Sequence, residues 1–385
     1  MKNIRYGISL LFLLVINSLV GFGLSLDIRV FSSSTVTQMS FTPISGKYVM
    51  KADNLPLSAD IYKNNTVEFK MVGNKIQITK NNVVLGLCTE VSLESVGLVN
   101  AFTVKTNAKK YAERVYDDEL RLKVEGNNIE LINRVDLERY VAGVVQSEVL
   151  GSSTDIEFFK IQAIIARTYT LTNIMKHVND GYNLCDETHC QAYYRRCNNS
   201  DIMLAVSQTF CDVIVDADGK LISAAFHSNS GGQTQNSENV WSISTSYLRS
   251  VVDTFSLGGR NYVWEKRIPK KQWLDYFISN YPYLANDAQK QQKLCCFNQD
   301  CRQKNILDSI PLRNIRTSFK LRSTYFSVSE DKDQVVLKGK GYGHGVGLSQ
   351  EGAINMVKQG KKADEVIRFY YTGVRIVKYT EILKF

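Results

Sequence analysis

The feature that most restricts the fold of this chain is a change in the spacing of its apolar residues at Asp136. Before it, short segments such as Thr66–Met71 and Lys75–Thr79 alternate apolar and polar residues, as half-buried strands do. After it, apolar residues follow helical spacing at Leu137, Tyr140, Val141, Val144 and Val145. We therefore predict an α+β protein, with a β-rich N-terminal domain over residues 26–134 and a mixed α/β domain over residues 135–385.

Helix signals are concentrated just after this change. Asp136 is a plausible N-cap for a helix that reaches Glu148. Thr154 stands three residues before Glu157, which is a capping-box pattern, and predicts a second helix that ends near Val178. Further along, residues 265–310 look like an amphipathic helical insertion that contains three cysteines, and residues 315–328 have a strand pattern.

The first 25 residues decide the compartment. Lys2 and Arg5 precede an apolar run from Ile8 to Val20, and small residues follow. This is the order of a secretory signal, although an apolar stretch extending to Leu26 would reach the length of a membrane anchor. We predict an exported protein of the periplasm or the outer face of the bacterial inner membrane, attached to the membrane if the segment is not cleaved.

The net charge restricts the kinds of partner that the protein can bind. The chain carries 47 basic and 38 acidic residues, a net charge of +9. For an exported protein this suits an anionic surface such as cell-wall polymer or phospholipid. The export signal and the lack of a nucleic-acid motif argue against DNA or RNA as a partner.

Three potential metal ligands stand within six residues, at Cys185, His189 and Cys190, and His177 lies just before them. Two thiolates and two imidazoles would form a closed, structural zinc site. A disulfide between Cys185 and Cys190, or between either and Cys197, is an equally good interpretation in an exported protein with eight cysteines.

Glycines alternate from Gly339 to Gly347, with His344 among them. The spacing fits neither of the phosphate-binding glycine motifs, so no nucleotide cofactor is expected. Such a run allows either close approach of a polymer or a tightly packed turn. His227 and Ser228 are adjacent and lack a nucleophile elbow, which argues against a serine hydrolase.

Glu148 is the candidate catalytic residue. It projects from the apolar stripe of its helix, where loss of solvation raises the pKa of a carboxyl and suits it to proton donation. Hydrolysis of a glycosidic bond by water needs two carboxylates, and we find no second carboxylate as well placed as Glu148. One carboxylate suffices for a cell-wall glycan if the 6-hydroxyl of N-acetylmuramic acid attacks C1 of the same sugar. Alternatively, Glu148 is a helix-end carboxylate that reaches solvent or pairs with Lys160 or Arg167, which share one face of the next helix.

Several segments together resemble the stage II sporulation protein D family, over roughly residues 110–380. They are Val135–Glu148, Lys160–Thr170, His227–Gly232, Val240–Trp241 with Tyr247–Arg249, Gly341–Gln350 and Phe369–Arg375. The resemblance implies lytic transglycosylase activity on peptide-free glycan strands, with the catalytic glutamate at Glu148. It also implies a zinc site at Cys185, His189 and Cys190, with His177 as the fourth ligand.

The family resemblance completes the set of candidate sites and partners. The candidate substrate-binding residues are Lys160, Arg167, His227, Ser228, Tyr325 and His344. Expected partners are peptidoglycan glycan strands and a wall amidase or division complex. A second hypothesis follows from the amidase-enhancer branch of the family, in which the domain binds the wall or modulates another enzyme without catalysis.

Overall fold

The computed structural model describes residues 23–108, 113–149, 151–307 and 309–382. Their packing defines two compact units. The first unit takes the described residues up to Glu148 together with Ile174–Cys197, and the second takes Val149–Asn173 and the chain from Asn198 onward. The N-terminal signal or anchor was predicted for residues 1–25, of which residues 1–22 lie outside the described residues. No described helix is long and apolar enough to cross a membrane.

The first unit is built on one sheet of eleven strands. Its strands are β1 (Ser25–Val30), β2 (Gln38–Ala52), β3 (Leu55–Tyr62), β4 (Val67–Val72), β5 (Lys75–Lys80), β6 (Val83–Cys88), β7 (Glu90–Thr106), β8 (Glu113–Asp117), β9 (Glu119–Glu125), β10 (Asn128–Asp136) and β11 (Leu184–Cys185). Their order is β11-β1-β10-β9-β7-β2-β4-β5-β6, with β3 paired to β2 and β8 to β7. The strands predicted at residues 66–71 and 75–79 are confirmed as β4 and β5.

Helix α1 (Leu137–Val149) follows β10 directly. Asp136 caps it as predicted, since its carboxylate accepts the amides of Glu138 at 2.9 Å and Arg139 at 3.2 Å. The returning segment Ile174–Cys197 then adds β11 to the sheet, where Leu184 pairs with Ile28 of β1 in parallel. The chain therefore leaves the first unit after α1 and comes back to complete it.

The second unit contains eight helices among the described residues, and several small sheets. The helices are α2 (Ile156–Thr172), α3 (Ser200–Gln208), α4 (Lys270–Asn280), α5 (Ala288–Cys295), α6 (Leu312–Ser318), α7 (Gln350–Lys358), α8 (Ala363–Tyr370) and α9 (Tyr379–Ile382). The paired strands are β12 (Asp212–Val215) with β20 (Arg375–Lys378), β13 (Phe226–His227) with β19 (Leu348–Ser349), β14 (Val263–Pro269) with β18 (Gln334–Lys340) and β17 (Phe326–Asp331), and β15 (Asn305–Ile306) with β16 (Ile310–Pro311). The α+β class is confirmed.

Three sequence expectations in this unit are wrong in detail. The N-cap of α2 is Asp155, which accepts the amide of Glu157 at 2.9 Å, and the capping box expected from Thr154 does not form. The helix ends at Thr172 because the chain turns back toward the first unit from Ile174. The segment predicted as a strand from Ile315 begins inside α6, where Leu312 and Ile315 are buried one helical turn apart.

The predicted insertion near residues 265–310 shares one hydrophobic core with α6, β17 and β18. It is not helical throughout, since it opens with β14, which pairs with β18. Helices α4 and α5 follow, and Trp273, Phe277 and Leu294 are fully buried in its core. The division at residue 134 stays a prediction about sequence domains; by packing, α1 and Ile174–Cys197 belong with the sheet.

Candidate functional site

The carboxyl group of Glu148 is partly buried in the last turn of α1. Its Oε1 accepts the backbone amide of Ala192 at 3.0 Å. Burial raises the pKa of Glu148 above its ordinary value of 4.5, and the Ala192 hydrogen bond offsets this in part. No cation among the described residues stabilises the charged form, so the protonated acid persists to higher pH than in an ordinary glutamate.

The segment that carries Ala192 approaches α1 closely because Gly143 has no side chain. A Cβ at Gly143 would lie 2.5 Å from Cε2 of Tyr193 and 2.7 Å from the carbonyl oxygen of Arg195. One turn further, Oγ of Ser147 accepts the amide of Tyr194 at 3.1 Å. The backbone contact at Glu148 is thus one of several that fix this segment on α1.

Just before that segment, the structure brings together the four predicted metal ligands, His177, Cys185, His189 and Cys190. One ligand atom from each lies within 4.8 Å of the others. Nδ1 of His189 is 3.7 Å from Sγ of both cysteines. Tetrahedral zinc with ordinary bond lengths separates nitrogen and sulfur ligands by about 3.6 Å. The donor set therefore fits a zinc ion.

The surroundings of His177 favour its predicted role as the fourth ligand. Its Nδ1 lies 2.9 Å from a carboxylate oxygen of Asp180. Because a carboxylate accepts, Nδ1 carries the proton and Nε2 keeps a lone pair. That Nε2 is buried and has no partner among the described residues. A carboxylate that orients a histidine in this way is the usual support of a zinc ligand.

The two cysteines of the cluster share one proton. The pKa of Cys185 is lowered to about 5, chiefly by a hydrogen bond from Cys190, and the pKa of Cys190 is raised by the same contact. Neither Cys185 nor Cys190 forms a disulfide in this structure. A thiolate is the form of cysteine that binds metal, so the arrangement already favours one charged sulfur.

Asp186, inside the cysteine loop, was not identified from sequence. Its side chain is fully buried and accepts from the amides of Phe31 and Ser32, the hydroxyl of Ser32 and the guanidinium of Arg114, which lies at 2.7 Å. These bonds fix the loop between Cys185 and His189 on β1 and the turn after it. The sequence does show an acidic residue between two candidate ligands, but its role could not be predicted because its partners are distant in sequence.

We expect Asp186→Asn to destabilise the first unit by about 3 to 5 kcal/mol, the usual cost of breaking one partner of a buried ion pair. The amide leaves the Arg114 charge uncompensated and replaces an acceptor with a donor that faces backbone amides. Urea unfolding measures the change. A loss below 1 kcal/mol would contradict this role, and Glu68→Gln, which removes an exposed carboxylate from β4 of the same unit, serves as the control.

The two helix cations lie in α2 of the second unit. Lys160 is partly exposed and forms an ion pair of 2.8 Å with Glu157. Arg167 is fully buried and donates to the carbonyl oxygen of Asp212 at 2.9 Å. This position favours a structural role for Arg167, whereas Lys160 remains accessible for a substrate.

His227 and His344 come together in the second unit, with ring centroids 5.5 Å apart. The backbone of one residue, Val346, sets both tautomers, since its carbonyl accepts from Nδ1 of His227 and its amide donates to Nδ1 of His344. Burial lowers the pKa of both histidines, that of His344 to about 4. Both rings are therefore neutral near pH 7.

Ser228 and Tyr325 have partners that do not involve these rings. Oγ of Ser228 accepts from the side-chain amide of Asn261 at 3.0 Å. The hydroxyl of Tyr325 donates to the carbonyl of Asp300 at 3.0 Å, and the side chain is buried. These contacts support the argument against a serine nucleophile and favour a structural role for Tyr325.

The alternating glycines form a packed turn. Gly341, Gly343, Gly345 and Gly347 all have positive φ, and a Cβ at Gly347 would lie 2.1 Å from the carbonyl oxygen of Ala225. The glycines are needed because neighbouring backbone and side chains fill the space a Cβ would occupy. Of the two interpretations of this run, the structure favours the tightly packed turn.

Comparisons with known proteins place these residues in a family. Residues 125–215 match the profile described as stage II sporulation protein, SpoIID. Stage II sporulation protein D of Bacillus subtilis is 28% identical over 301 residues, which cover 70% of this chain and 82% of that protein. An uncharacterized protein of Brachyspira hyodysenteriae is 26% identical over 371 residues, 93% of this chain and 97% of its own length.

A third relative carries a different name. The amidase enhancer of Bacillus subtilis is 27% identical over 290 residues, which cover 62% of this chain and 40% of that protein. Together the matches confirm the resemblance: residues 125–215 match the domain model of the stage II sporulation protein D family, and the relatives are 26–28% identical to this chain. Glu148, the four metal-ligand candidates, Lys160 and Arg167 lie within that range, and His227 and His344 lie beyond it.

Proposed function

We propose that this protein is an exported lytic transglycosylase that cleaves peptide-free glycan strands of peptidoglycan, with Glu148 as the single acid and base. The observation that carries the proposal is the state of Glu148. Its carboxyl is partly buried, has a raised pKa and accepts from the amide of Ala192, and it lies in the range that matches the family model. A structural carboxylate at a helix end would instead favour a compensating cation, because the helix dipole opposes a negative charge there.

One carboxyl group is enough for both proton transfers of the reaction. Protonated Glu148 donates its proton to the glycosidic oxygen as the bond from that oxygen to C1 breaks. The resulting carboxylate then takes the proton of the 6-hydroxyl of the same N-acetylmuramic acid, and O6 forms the new bond to C1. The proton returns to Glu148, no water is consumed, and the product ends in a 1,6-anhydro sugar. No carboxylate among the described residues contributes to the pKa of Glu148, which supports internal attack over attack by water.

The product assay tests this function. We expect the full chain, incubated with peptide-free glycan, to release fragments with 1,6-anhydro-N-acetylmuramic acid ends, detected by mass spectrometry. Fragments heavier by one water would mean a hydrolase. The alternative, a wall-binding or amidase-modulating module, is suggested by the relative named amidase enhancer; it predicts binding of the glycan with no new chain ends.

We also propose that His177, Cys185, His189 and Cys190 bind one structural zinc ion. The support is the near-tetrahedral separation of their donor atoms and the unpartnered Nε2 of His177. Four protein ligands close the site to water, which is typical of structural and not catalytic zinc. The ion would hold the loop that leads to Ala192, the partner of Glu148.

The pH dependence of the reaction should report on Glu148. Proton donation needs the protonated acid, so kcat/KM should fall by about tenfold per pH unit above the pKa of Glu148. Because burial raises that pKa, the fall should begin above 4.5, the ordinary value for glutamate. A profile measured where circular dichroism shows a folded protein tests this. A falling limb centred at or below 4.5 would contradict it.

A further inference from the structure

A cluster of cationic and aromatic side chains surrounds the two histidines of the second unit. It comprises His227, Trp241, Arg302, Arg316, Tyr342 and His344, which we call the histidine cluster. The ring of Trp241 lies 5.1 Å from that of His344, measured between centroids. Helix α6, which carries Arg316, lies beside Trp241, because its Arg313 donates to the carbonyl oxygen of Val240 at 2.9 Å. The charge of Arg316 helps to lower the pKa of both histidines.

No carboxylate among the described residues pairs with the positive charges of this cluster. Arg302 is buried and donates to the carbonyl oxygens of Ser230 and Gln233, each at 2.6 Å. Arg316 is partly buried and has neither a hydrogen bond nor an ion pair among the described residues. Burial without a carboxylate lowers the pKa of both guanidinium groups, that of Arg302 to about 10.

Three acidic residues of the adjoining loops have hydrogen-bond or ion-pair partners other than the arginines of the cluster. Glu238, three residues before Trp241, forms an ion pair with Arg249. Asp253 accepts from the hydroxyls of Ser230 and Ser256. Glu351 accepts from the amides of Asn229 and Asn261. A partly buried guanidinium with no internal counterion is costly, which makes it a receptor for an anion from outside.

His227 adds a second requirement for the ligand. The ring is nine-tenths buried, and Nε2 has no partner among the described residues. Since Nδ1 donates to the Val346 carbonyl, Nε2 is an acceptor and seeks a hydroxyl or amide hydrogen. Trp241 supplies a third element, because 42% of its surface is exposed beside His344. An exposed indole face suits the apolar face of a sugar ring.

We infer that the histidine cluster binds a pyranose sugar that carries a free carboxylate, with Arg316 on the carboxylate, His227 Nε2 on a hydroxyl and Trp241 against the ring. The inference rests on the proposed function, whose substrate contains such a sugar. N-acetylmuramic acid has a free lactyl carboxylate only when no stem peptide is attached, because the peptide converts it to a neutral amide. Arg316 would then be a specificity-determining residue for peptide-free strands, and Arg302 would supply a fixed positive field beneath it.

Binding of three small probes tests this without turnover. They are N-acetylmuramic acid, its neutral L-alanine amide derivative N-acetylmuramoyl-L-alanine amide, and N-acetylglucosamine, which has no lactyl group. Trp241 is the exposed member of the three tryptophans, so its fluorescence in the full chain reports occupancy. We expect N-acetylmuramic acid to bind more tightly than either neutral probe. Arg316→Gln should weaken the acid by roughly 10- to 100-fold, the range for a charge-assisted hydrogen bond, and leave the neutral probes unchanged.

Lys338→Gln is the matched control, because Lys338 is an exposed cation of the same unit and its loss changes the net charge equally. It should leave the preference for the acid intact. Arg316→Lys, which keeps a point charge but not the two-pronged geometry, should fall between wild type and Arg316→Gln. Equal binding of charged and neutral probes by wild type, absence of binding, or an unchanged preference in Arg316→Gln would each overturn the inference. Loss of transglycosylase activity is scored separately with Glu148 variants, so failure of one proposal is distinguishable from failure of the other.

Discussion

The Glu148→Gln variant should yield no detectable anhydro ends from peptide-free glycan, with kcat reduced by about 10²- to 10⁴-fold, the usual contribution of a general acid and base. The replacement is nearly isosteric, and the side-chain carbonyl of glutamine can still accept the amide of Ala192. Glutamine cannot donate the proton that the leaving oxygen needs, and it cannot take up the proton of the 6-hydroxyl. Single-turnover cleavage of labelled strands, with binding measured in parallel, separates loss of chemistry from loss of affinity.

The matched control is Glu138→Gln, which removes one carboxylate from the first turn of the same helix. We expect it to retain activity close to wild type and to lose only a few tenths of a kcal/mol of stability, because an acid there interacts favourably with the helix dipole. If Glu148→Gln cleaves at the wild-type rate, Glu148 is not the acid. If wild type itself binds strands without cleaving them, the binding-module alternative is correct.

Removal of one ligand from the four-residue cluster should have the second large effect. We expect wild-type protein to carry about one zinc ion per chain, as a closed site does, and Cys185→Ala to carry essentially none. The variant should lose about 4 kcal/mol of unfolding free energy, since loss of a structural metal belongs to the most damaging single changes. Metal analysis by mass spectrometry and urea unfolding measure the two quantities.

Cys185→Ala should also affect the surroundings of Glu148. The loop from Cys185 to Cys190 leads directly to Ala192, so faster hydrogen exchange at the Ala192 amide is expected in Cys185→Ala. Cys88→Ala is the control: Cys88 is another buried cysteine of the first unit, and its thiol donates to the Ile76 carbonyl at 3.7 Å, away from the four ligands. It should keep the zinc. A disulfide between Cys185 and Cys190, found by thiol counting on wild type, would refute the metal site.

Local sequence patterns predicted the elements that depend on local interactions. Alternation gave β4 and β5 because each buries one face, and Asp136 was identified as a cap because its partners are two and three residues away. The pattern failed where tertiary contacts decide the outcome. The helix expected to run to Val178 stops at Thr172 because the following residues return to pair with β1. Ile315 was predicted to begin a strand, but it lies in α6, where Leu312 and Ile315 are buried at helical spacing.

The same distinction holds for the candidate site. The four ligands could be named from sequence because three stand within six residues, and the structure brings all four together. Arg167 could be recognised as a cation on the helix, but its full burial against the Asp212 carbonyl could not be foreseen. Asp186 and Arg316 were missed for a related reason. Their importance comes from partners far away in the chain in one case, and from the lack of any partner among the described residues in the other.

The discontinuity of the first unit has a consequence for how the molecule can be dissected. Because β11 is encoded after α2, a gene fragment that stops at Glu148 would deprive β1 of a neighbour and leave its backbone groups unsatisfied at an open edge. Such a fragment would also omit Ala192 and the four ligands. A longer fragment that stops at Cys197 would carry α2 without the helices and strands it packs on. Neither unit can therefore be expressed as one contiguous piece of this gene, and studies of either one require the entire chain or a permuted version of it.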